Sequence, residues 1–487
     1  MAWSADLVVI GGGPAGVSAA LRARELGATV VLVERARLGG VCTNDGCVPT
    51  RALAKAARLV RDAAQFGDYG LAGEPPAVDL AALLARTRAL VDRVHAKKDL
   101  GGHLEWAGVT VRSGSAAFRD ATTLALADGE VVEGRRFVVC AGGHARRLPI
   151  PGGELARTHS DVWSLDRLPE RMVVVGGAAT GCQLASVFVA FGTWVTLLEA
   201  APLPLGGEDE AVRRAVAGAL ADRGIELAVG IGGVDRIDRA EGGGLRVGWR
   251  DADGAARSTV ADEVVLAVGW AGSTGGLDLD RAGVRTERGY VVVDGGLRTT
   301  APNIWAAGDV TGRMMLVQSA TAEARLAVDN AILGDVQAHD QRIVPHGGFT
   351  DPEYGSVGLT EAAARERLGD GVAVATVDYA DLDRAVIDGR TTGFCKLVAE
   401  RDGHRVVGAH VVGEQAVEVV QLVAAGMSAG MRVDQLADVE LAYPTFTSIV
   451  GLCARRLARD LGVVPVSPQW RALGGGGLAE WERRAAP

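Results

Sequence analysis

The stretch DLVVIGGGPAGVSAALRARELGATVVLVE, residues 6–34, joins apolar and glycine-rich segments in an order that predicts a βαβ unit. A short apolar strand leads into Gly11, Gly13 and Gly16, and a helical segment is followed by a second apolar strand that ends at Glu34. In such a unit the first glycine makes a tight turn, the second lets a pyrophosphate approach the backbone, and the third lets the helix pack on the strand. The helix N-terminus offers unpaired N–H groups and a partial positive charge to the phosphates. The segment therefore predicts a dinucleotide site in which Glu34 accepts hydrogen bonds from ribose hydroxyls.

Residues 171–199, RMVVVGGAATGCQLASVFVAFGTWVTLLE, repeat this plan. Gly176, Gly181 and Glu199 take the positions of the first glycine, the third glycine and the acid of the first copy. Two such units predict two different dinucleotides, a flavin held in the first and a nicotinamide that visits the second. Ala178 replaces the middle glycine, and its methyl group is expected to crowd the pyrophosphate. The carboxylate of Glu199 repels a 2′-phosphate, which favours NAD(H) over NADP(H).

The composition allows large apolar cores and argues against a nucleic-acid surface. The chain has 487 residues, of which 48% are hydrophobic, and a formal net charge of −9. Phosphate backbones require a basic face, so no nucleic-acid partner is expected. Residues 172–198 carry no charge, but glycines divide them into strand, helix and strand lengths, which predicts a buried βαβ unit and no membrane partner. No basic segment precedes the first apolar stretch, and a cytoplasmic protein is expected.

A second informative stretch, GGVCTNDGCVPTRAL at residues 39–53, places Cys42 close to Cys47. A structural zinc site needs about four ligands, and this stretch supplies only two, so no metal is expected. A structural disulfide is another interpretation, although a cytosolic compartment tends to reduce such bonds. The third is a redox pair, because Pro49 suits a first helical turn and a helix N-terminus at Cys47 favours its thiolate. The remaining cysteines lie in apolar segments and are expected in the core: Cys140, Cys182, Cys395 and Cys453.

The cysteine motif, GGVC at 39–42 followed by CVP at 47–49, resembles the signature of the class I pyridine nucleotide-disulfide oxidoreductases. This family includes lipoamide dehydrogenase, glutathione reductase, mercuric reductase and the soluble transhydrogenases. The resemblance continues through AAGDVTG to FTDPEYGSVGLTE at 349–361. It implies FAD, a homodimer with active sites across the interface, and hydride flow from nicotinamide to flavin. It also implies that Cys47 is the flavin-proximal thiol and that Cys42 exchanges with the substrate.

The order of the segments predicts an α/β fold with two Rossmann-like dinucleotide-binding domains, for FAD and NAD(P), and a C-terminal α+β dimerisation domain. Residues 52–107 are expected to be largely helical. A strand within residues 299–312 ends at Gly308-Asp309, where the aspartate is expected to bind a ribityl hydroxyl of FAD. The predicted boundaries are 1–150 for the first part of the FAD domain with the cysteine pair, 151–270 for the NAD(P) domain, 271–338 for the return of the FAD domain, 339–470 for dimerisation and 471–487 for a flexible tail.

Four polar positions depart from the family pattern. Most members use a C-terminal His-Pro-Thr-x-x-Glu segment of the partner subunit to protonate a leaving thiolate, and here Tyr443 and Ser448 replace the histidine and the glutamate. A tyrosine, with a pKa of about 10, is a poorer base at pH 7 than a histidine with a pKa of about 6.5. Arg51 and Gln183 replace a lysine and a glutamate that pair beside the flavin, so Arg51 is expected to lack its acid. Two histidines remain as substitute acids, His346 and His410.

These observations leave three functional hypotheses. The first is an FAD-dependent, NAD(P)H-linked oxidoreductase that uses Cys42 and Cys47 as a redox pair and reduces or oxidises a small-molecule or thiol/disulfide substrate. The second is hydride transfer without dithiol turnover, as in a transhydrogenase or diaphorase, and rests on Tyr443 and the segment GEQAVEVVQL at 413–422. The third is a catalytically silent flavin-binding protein, which Ala178 and the altered polar pair allow.

Overall fold

The computed structural model describes residues 2–334, 337–340 and 343–463 of the chain. The tail predicted for residues 471–487 lies outside the described residues, as does the end of the segment predicted for dimerisation. Three large sheets, one of seven strands and two of five, organise the described part.

The first βαβ unit forms as the sequence predicts. β1 lies between β2 and β6, and all three strands are parallel. Its residues Leu7, Val8 and Val9 are fully buried, which explains the unbroken apolar run of this strand. Pro14 stands at the start of α1, where the missing N–H removes no intrahelical hydrogen bond. The elements of this part are β1 Ala2–Ile10, α1 Pro14–Glu25, β2 Val30–Glu34, α2 Gly40–Asn44, α3 Cys47–Ala63, α4 Leu80–Lys98, α5 Leu100–Trp106, β3 Val109–Ser113, β4 Ala116–Asp120, β5 Thr123–Leu126, β6 Val131–Val139 and β7 Gly143–Ala145.

The second βαβ unit builds its own parallel sheet, in the order β11-β10-β9-β15-β8, beside a three-stranded antiparallel sheet β12-β13-β14. The uncharged residues 172–198 form β9, α6 and β10 of this unit, as predicted. Within the described residues no helix has the length and apolar character needed to cross a membrane. The elements are β8 Arg157–Thr158, β9 Arg171–Val175, α6 Ala179–Ala190, β10 Trp194–Glu199, α7 Glu210–Asp222, β11 Glu226–Val229, β12 Gly233–Arg239, β13 Leu245–Arg250, β14 Ala256–Ala261 and β15 Glu263–Leu266.

After β15 the chain returns to the first sheet. β19 pairs in parallel with β6, and β16 pairs with β7. α8 and α1 share one core, in which buried alanines such as Ala20 and Ala324 are both fully covered. The elements are β16 Trp270–Gly272, β17 Thr286–Glu287, β18 Tyr290–Val291, β19 Ile304–Ala306 and α8 Val317–Leu333.

The C-terminal part has an antiparallel sheet, β20-β21-β24-β23-β22, covered by helices that share a separate core. An antiparallel sheet with helices packed against it agrees with the predicted α+β character. The elements are β20 His346–Gly348, β21 Glu353–Gly358, α9 Glu361–Leu368, β22 Val372–Asp378, α10 Asp383–Ile387, β23 Phe394–Glu400, β24 Val406–Gly413, α11 Ala416–Ser428, α12 Val433–Ala437 and α13 Ser448–Asp460.

The predicted fold class is confirmed, whereas the predicted domain boundaries stay predictions. The helical character expected for residues 52–107 is also confirmed by α3, α4 and α5. The four cysteines expected in the core are all buried, with exposed fractions of 0–3%: Cys140, Cys182, Cys395 and Cys453.

Candidate functional site

The first glycine turn has no room for a side chain at two of its three glycines. Gly11 has φ +106°, and a Cβ added there would lie 2.3 Å from the carbonyl oxygen of Cys140. A Cβ on Gly16 would lie 1.7 Å from the carbonyl oxygen of Gly11, so only glycine lets α1 approach β1 this closely. Gly13 has an ordinary φ of −75°, and its role is therefore to keep the surface above the helix start free.

In each βαβ unit, backbone amides hold the carboxylate at the end of the second strand. The carboxylate of Glu34 accepts hydrogen bonds from the backbone N–H of Gly12 at 2.5 Å and from that of Ala36 at 2.7 Å. The carboxylate of Glu199 accepts the corresponding two hydrogen bonds, from the backbone N–H of Gly177 at 2.5 Å and from that of Ala201 at 2.7 Å. The two units thus repeat each other down to individual hydrogen bonds.

The second glycine turn keeps this geometry despite its alanine. Gly176 has φ +103°, and a Cβ on Gly181 would lie 1.8 Å from the carbonyl oxygen of Gly176. Ala178 has φ −77° and ψ −175°, nearly the values of Gly13 at −75° and −174°. The alanine is therefore unstrained, and its methyl group is exposed at the start of α6.

A cavity of about 990 Å³ connects the first glycine turn with the cysteine pair and the start of α6. Several residues singled out from the sequence line it. They are Gly11, Gly13, Glu34, Cys42, Cys47, Gln183 and Asp309.

Cys42 and Cys47 lie at the two ends of a short loop that the cavity exposes. Cys42 is in α2, and Cys47 is the first residue of α3, directly after Gly46. Both are free thiols, and they are neighbours, so that the Cys42 thiol can act as a hydrogen-bond donor to a Cys47 thiolate. Pro49 is in the first turn of α3, where the sequence placed it.

The surroundings of the two cysteines shift the pKa values of their thiols in opposite directions. The hydrogen bond from the Cys42 thiol outweighs burial and lowers the pKa of Cys47 to about 7, and a backbone hydrogen bond at the helix start acts in the same direction. The same contact, together with burial, raises the pKa of Cys42. Lys98 favours and Asp309 opposes the thiolate of each. At neutral pH the negative charge of the reduced pair therefore belongs on Cys47.

Side chains from two other elements hold the loop between the cysteines, and sequence reasoning missed them. From α4, His95 donates from Nε2 to Oδ1 of Asn44 at 2.8 Å, and Lys98 donates to a buried threonine beside it at 3.1 Å. From the turn after β8, Trp163 donates from Nε1 to the carbonyl oxygen of Asp45 at 2.9 Å. Only the tertiary structure brings these distant positions together.

Asp309 lines the cavity from the turn that follows β19. Gly308 has φ +80° and donates its N–H to Oε2 of Glu323 at 2.8 Å, and that glutamate is fully buried. Burial raises the pKa of Asp309 and also that of Glu323. Glu323, which the sequence reasoning did not select, therefore fixes the turn that presents Asp309.

The expectation that Arg51 lacks an acid is wrong. Nη1 of Arg51 lies 3.1 Å from Oε1 of Glu353, a buried residue of β21 that Arg58 also contacts. The guanidinium of Arg51 also lies over the ring of Phe349, 4.2 Å from its centroid. The acid comes from a part of the chain some three hundred residues away and replaces the one missing at Gln183.

Gln183 contacts the same phenylalanine, in this case through its backbone N–H. It donates from Nε2 to the carbonyl oxygen of Ala179 at 2.9 Å and accepts from the N–H of Phe349 at 3.1 Å. Phe349 itself lines the cavity. Arg51 and Gln183 are therefore linked through this residue and the C-terminal part of the chain.

Tyr443 and Ser448 do not form a pair. Tyr443 is 53% exposed and donates its hydroxyl to Oδ2 of Asp383 at 2.6 Å. Ser448 is buried and donates to the carbonyl oxygen of Thr445 at 2.6 Å. Ser448 occupies the position of the family's glutamate but does not contact Tyr443, and the carboxylate beside Tyr443 belongs to Asp383 of α10.

The two histidines considered as substitute acids lie in a network around Glu208. Burial is the largest single influence on His346 and lowers its pKa, but the 3.1 Å hydrogen bond to Glu208, the charge of Glu208 and a backbone hydrogen bond to Val344 together raise the pKa above its ordinary value. His410 is buried, which lowers its pKa, and its Nε2 donates to the carbonyl oxygen of Leu359 at 3.0 Å. Neither histidine is among the described residues that line the cavity. No group of three or more metal-ligating side chains occurs in the part of the chain that the structure describes.

Comparison with known proteins decides the family. Residues 5–324 match the family described as pyridine nucleotide-disulphide oxidoreductase, and residues 344–452 match the dimerisation domain of the same family. The chain belongs to the pyridine nucleotide-disulphide oxidoreductases. It is accordingly a flavoprotein oxidoreductase that uses FAD and a pyridine nucleotide. The match to the family's dimerisation domain indicates a homodimer.

Relatives of this family cover nearly the whole chain. A mercuric reductase from Streptomyces lividans is 35% identical over 94% of this chain and 97% of its own. A dihydrolipoyl dehydrogenase from Pseudomonas aeruginosa is 34% identical over 93% and 97%. Among solved structures, LpdA from Mycobacterium tuberculosis has a TM-score of 0.83 at 27% identity, covering 93% of this chain and 99% of that one. The HOCl-induced flavoprotein disulfide reductase RclA from Escherichia coli has a TM-score of 0.81 at 28% identity, covering 92% and 99%.

The cavity fits FAD. Gly11 and Gly13 line the cavity at the start of α1, where the missing side chain of Gly13 lets a pyrophosphate approach the backbone, and the fixed carboxylate of Glu34 stands at the end of β2. Asp309 and the cysteine pair lie along the same cavity. Similarity to both a mercuric reductase and dihydrolipoyl dehydrogenases leaves the substrate open.

Proposed function

We propose that this enzyme passes electrons from a reduced nicotinamide to the Cys42–Cys47 pair and from there to a small-molecule or thiol/disulfide acceptor. The observation that carries the proposal is the pair itself, two neighbouring thiols in the FAD cavity, of which Cys47 begins a helix and has its pKa lowered to about 7. Bound FAD supplies two-electron chemistry between nicotinamide and sulfur. The chain supplies the binding surface, the orientation and the proton positions.

The net reaction of the pair balances as follows. The Cys42–Cys47 disulfide gains two electrons and two protons and becomes a dithiol, while NADH gives two electrons and one proton and solvent gives the second proton. With a disulfide acceptor, the Cys42 thiolate attacks one sulfur, forms a mixed disulfide with it and releases the other sulfur as a thiolate. The Cys47 thiolate then attacks the sulfur of Cys42, which restores the Cys42–Cys47 disulfide and releases the first acceptor sulfur as a second thiolate, and the two thiolates take up the two protons of the dithiol. The raised pKa of Cys42 disfavours its thiolate, so acceptors with a good leaving group are favoured.

Tyr443 and Asp383 are proposed as the proton-carrying pair of the homodimer. The tyrosine hydroxyl is fixed by the carboxylate on an exposed face of the C-terminal part, away from the cavity of its own chain. The end of α10 exposes two apolar side chains, Val386 at 58% and Ile387 at 56%, and Tyr69 donates its hydroxyl to the carbonyl of Ile387 at 2.6 Å. This face suits the dimer interface, where Tyr443 reaches the cysteine pair of the partner subunit.

The nicotinamide is proposed to bind at the second glycine turn with a preference for NAD(H). Glu199 is fixed at the end of β10 by two backbone amides, and Ala200 and Ala201 follow it without a basic side chain. A 2′-phosphate at this position would meet a carboxylate and no arginine. Activity with NADPH is therefore expected to be lower than with NADH.

A second candidate is hydride transfer to a diaphorase-type acceptor or a second nicotinamide without dithiol turnover. It is favoured by one observation, the tyrosine in place of a histidine, because a phenol with a pKa of about 10 carries protons poorly at pH 7. In that case Cys42 and Cys47 are not oxidised or reduced during turnover.

Anaerobic titration with NADH separates the two candidates. The dithiol enzyme is expected to take up electrons on the pair and to show a long-wavelength absorbance from the Cys47 thiolate beside oxidised flavin. Cys47→Ser abolishes this band and Cys42→Ser abolishes turnover, whereas Cys453→Ala, which removes a buried thiol of the C-terminal core, leaves both unchanged. If both active-site serine variants turn over at the wild-type rate, the second candidate replaces the first.

A panel of acceptors then addresses the substrate. It includes disulfides, quinones, a second nicotinamide, Hg(II) and Cu(II), because relatives are a mercuric reductase and a reductase whose structure is a Cu(II) complex. Tyr443→Phe and Asp383→Asn are expected to slow reduction of a disulfide acceptor while the reduction of the enzyme by NADH keeps its rate. Trp106→Phe, at an aromatic residue of α5 that is 88% exposed and makes none of these contacts, is the control. Equal rates for all three variants would remove Tyr443 from the proton path.

A further inference from the structure

His159 is a buried polar side chain for which the structure provides no hydrogen-bond partner. It is 6% exposed, and neither Nδ1 nor Nε2 has a partner of acceptable geometry. The Leu266 carbonyl is close enough to raise the pKa of the ring, although it lies outside hydrogen-bonding geometry. Buried polar groups are almost always paired in native proteins, so a group of this kind indicates a bound partner.

The position of His159 is at the cysteine end of the FAD cavity. It begins the short helical turn His159–Ser164, whose Trp163 donates to the backbone of Asp45 between the two cysteines. The rings of His159 and Trp270 are 4.4 Å apart between centroids and tilted by 54°. Both residues line the cavity, with Trp270 coming from β16 in the return to the first sheet.

The protonation state of His159 suits a neutral hydrogen bond. Burial lowers its pKa, against weaker opposing effects from Asp161 and the nearby carbonyl. A neutral imidazole offers one N–H donor and one acceptor nitrogen. A ring system with both carbonyl oxygens and ring N–H groups can therefore use either nitrogen of His159.

We propose that His159 hydrogen-bonds a heteroatom of the flavin ring system and that Trp270 supports it as an apolar wall. The ring that exchanges electrons with Cys47 must lie at this end of the cavity, where His159 and Trp270 face it. His159 is thus a positioning residue for the cofactor. The proposal rests on FAD binding and not on dithiol turnover.

The test measures FAD binding by the purified holoenzyme and by three variants. His159→Phe keeps a ring of similar size against Trp270 but cannot hydrogen-bond, His159→Gln keeps an amide donor and acceptor, and His144→Phe replaces an exposed histidine of β7 that does not line the cavity. The readouts are the FAD dissociation constant by ultrafiltration and the position of the visible flavin absorption bands. Loss of one hydrogen bond corresponds to about 10-fold weaker binding.

The expected result is weaker FAD binding and shifted bands in His159→Phe, substantial recovery in His159→Gln, and wild-type values in His144→Phe. If His159→Phe binds FAD with the wild-type constant and spectrum, the histidine only packs on Trp270 and the proposal is overturned. If His159→Phe raises the dissociation constant for NADH but leaves FAD binding unchanged, the proposal is also overturned. A His159→Leu variant replaces His159→Phe if the latter does not fold. Purification of the wild type without FAD would instead refute the proposed function itself.

Discussion

The hydrogen bond between the active-site thiols is expected to set the ionisation of Cys47. This contact is the largest influence that lowers the pKa of Cys47 from its ordinary value of 9.0 to about 7. Cys42→Ala removes the donor, whereas Cys42→Ser keeps a hydroxyl donor at the same position. The alanine variant is therefore expected to raise the pKa of Cys47 toward 9, while the serine variant leaves it near 7.

The size of the effect follows from the two pKa values. At pH 7 a thiol with a pKa of 7 is about half ionised, and one with a pKa of 9 is about 1% ionised. Burial and Asp309 oppose the thiolate of Cys47, and the helix start and Lys98 favour it, in both variants alike. The difference between the Cys47 pKa values of the two variants therefore measures the effect of the hydrogen bond from position 42 alone.

The assay is an anaerobic pH titration of the FAD-loaded variants, in which Cys47 is the only thiol of the pair. The long-wavelength absorbance of thiolate beside oxidised flavin is followed on both sides of neutral pH. Because a thiolate forms as the pH rises, the absorbance grows with pH, with a midpoint near 7 for Cys42→Ser and nearer 9 for Cys42→Ala. Equal midpoints near 7 would refute the reasoning and assign the low pKa to the helix start and Lys98.

Three further predictions follow from contacts described above. Gly16→Ala is expected to abolish FAD binding, because its Cβ would lie 1.7 Å from the carbonyl oxygen of Gly11, and the ratio of flavin to protein in purified enzyme measures this. Glu353→Gln leaves the two arginines of α3 without their buried carboxylate, a change that costs about 3 kcal/mol, so thermal unfolding should begin at clearly lower temperature. Glu199→Ser removes the charge that opposes a 2′-phosphate and is expected to raise kcat/KM for NADPH relative to NADH, measured in steady-state assays.

The first two of these predictions have a control variant. Gly27→Ala, at a glycine with open space around it, should keep its flavin even if the strained backbone lowers stability. Glu25→Gln, in an exposed ion pair, should hardly change the unfolding temperature. If the Glu353→Gln protein unfolds at the same temperature as the Glu25→Gln protein, the buried carboxylate of Glu353 does not contribute the expected stability. If Glu199→Ser leaves the ratio of kcat/KM for NADPH to that for NADH unchanged, Glu199 does not determine the preference for NAD(H).

The sequence predicted the local parts of the site because local rules decide them. The glycine turns require positive φ or close backbone approach at Gly11 and Gly176, and no other residue type satisfies this. The start of α3 at Cys47 followed from Pro49 two residues later. Local pattern could not show that Ser448 turns away from Tyr443 toward the backbone of its own helix start.

By itself the sequence determined the two βαβ units, their repetition, the fold class and the cysteine pair, because periodicity, glycine spacing and helix-start chemistry act within a few tens of residues. Only the tertiary structure decided which partners the polar side chains take. It gave Arg51 the carboxylate of Glu353, gave Tyr443 that of Asp383, and left His159 facing the cavity without a partner. These contacts join parts of the chain that are far apart in sequence, and their formation depends on how whole sheets and helices pack.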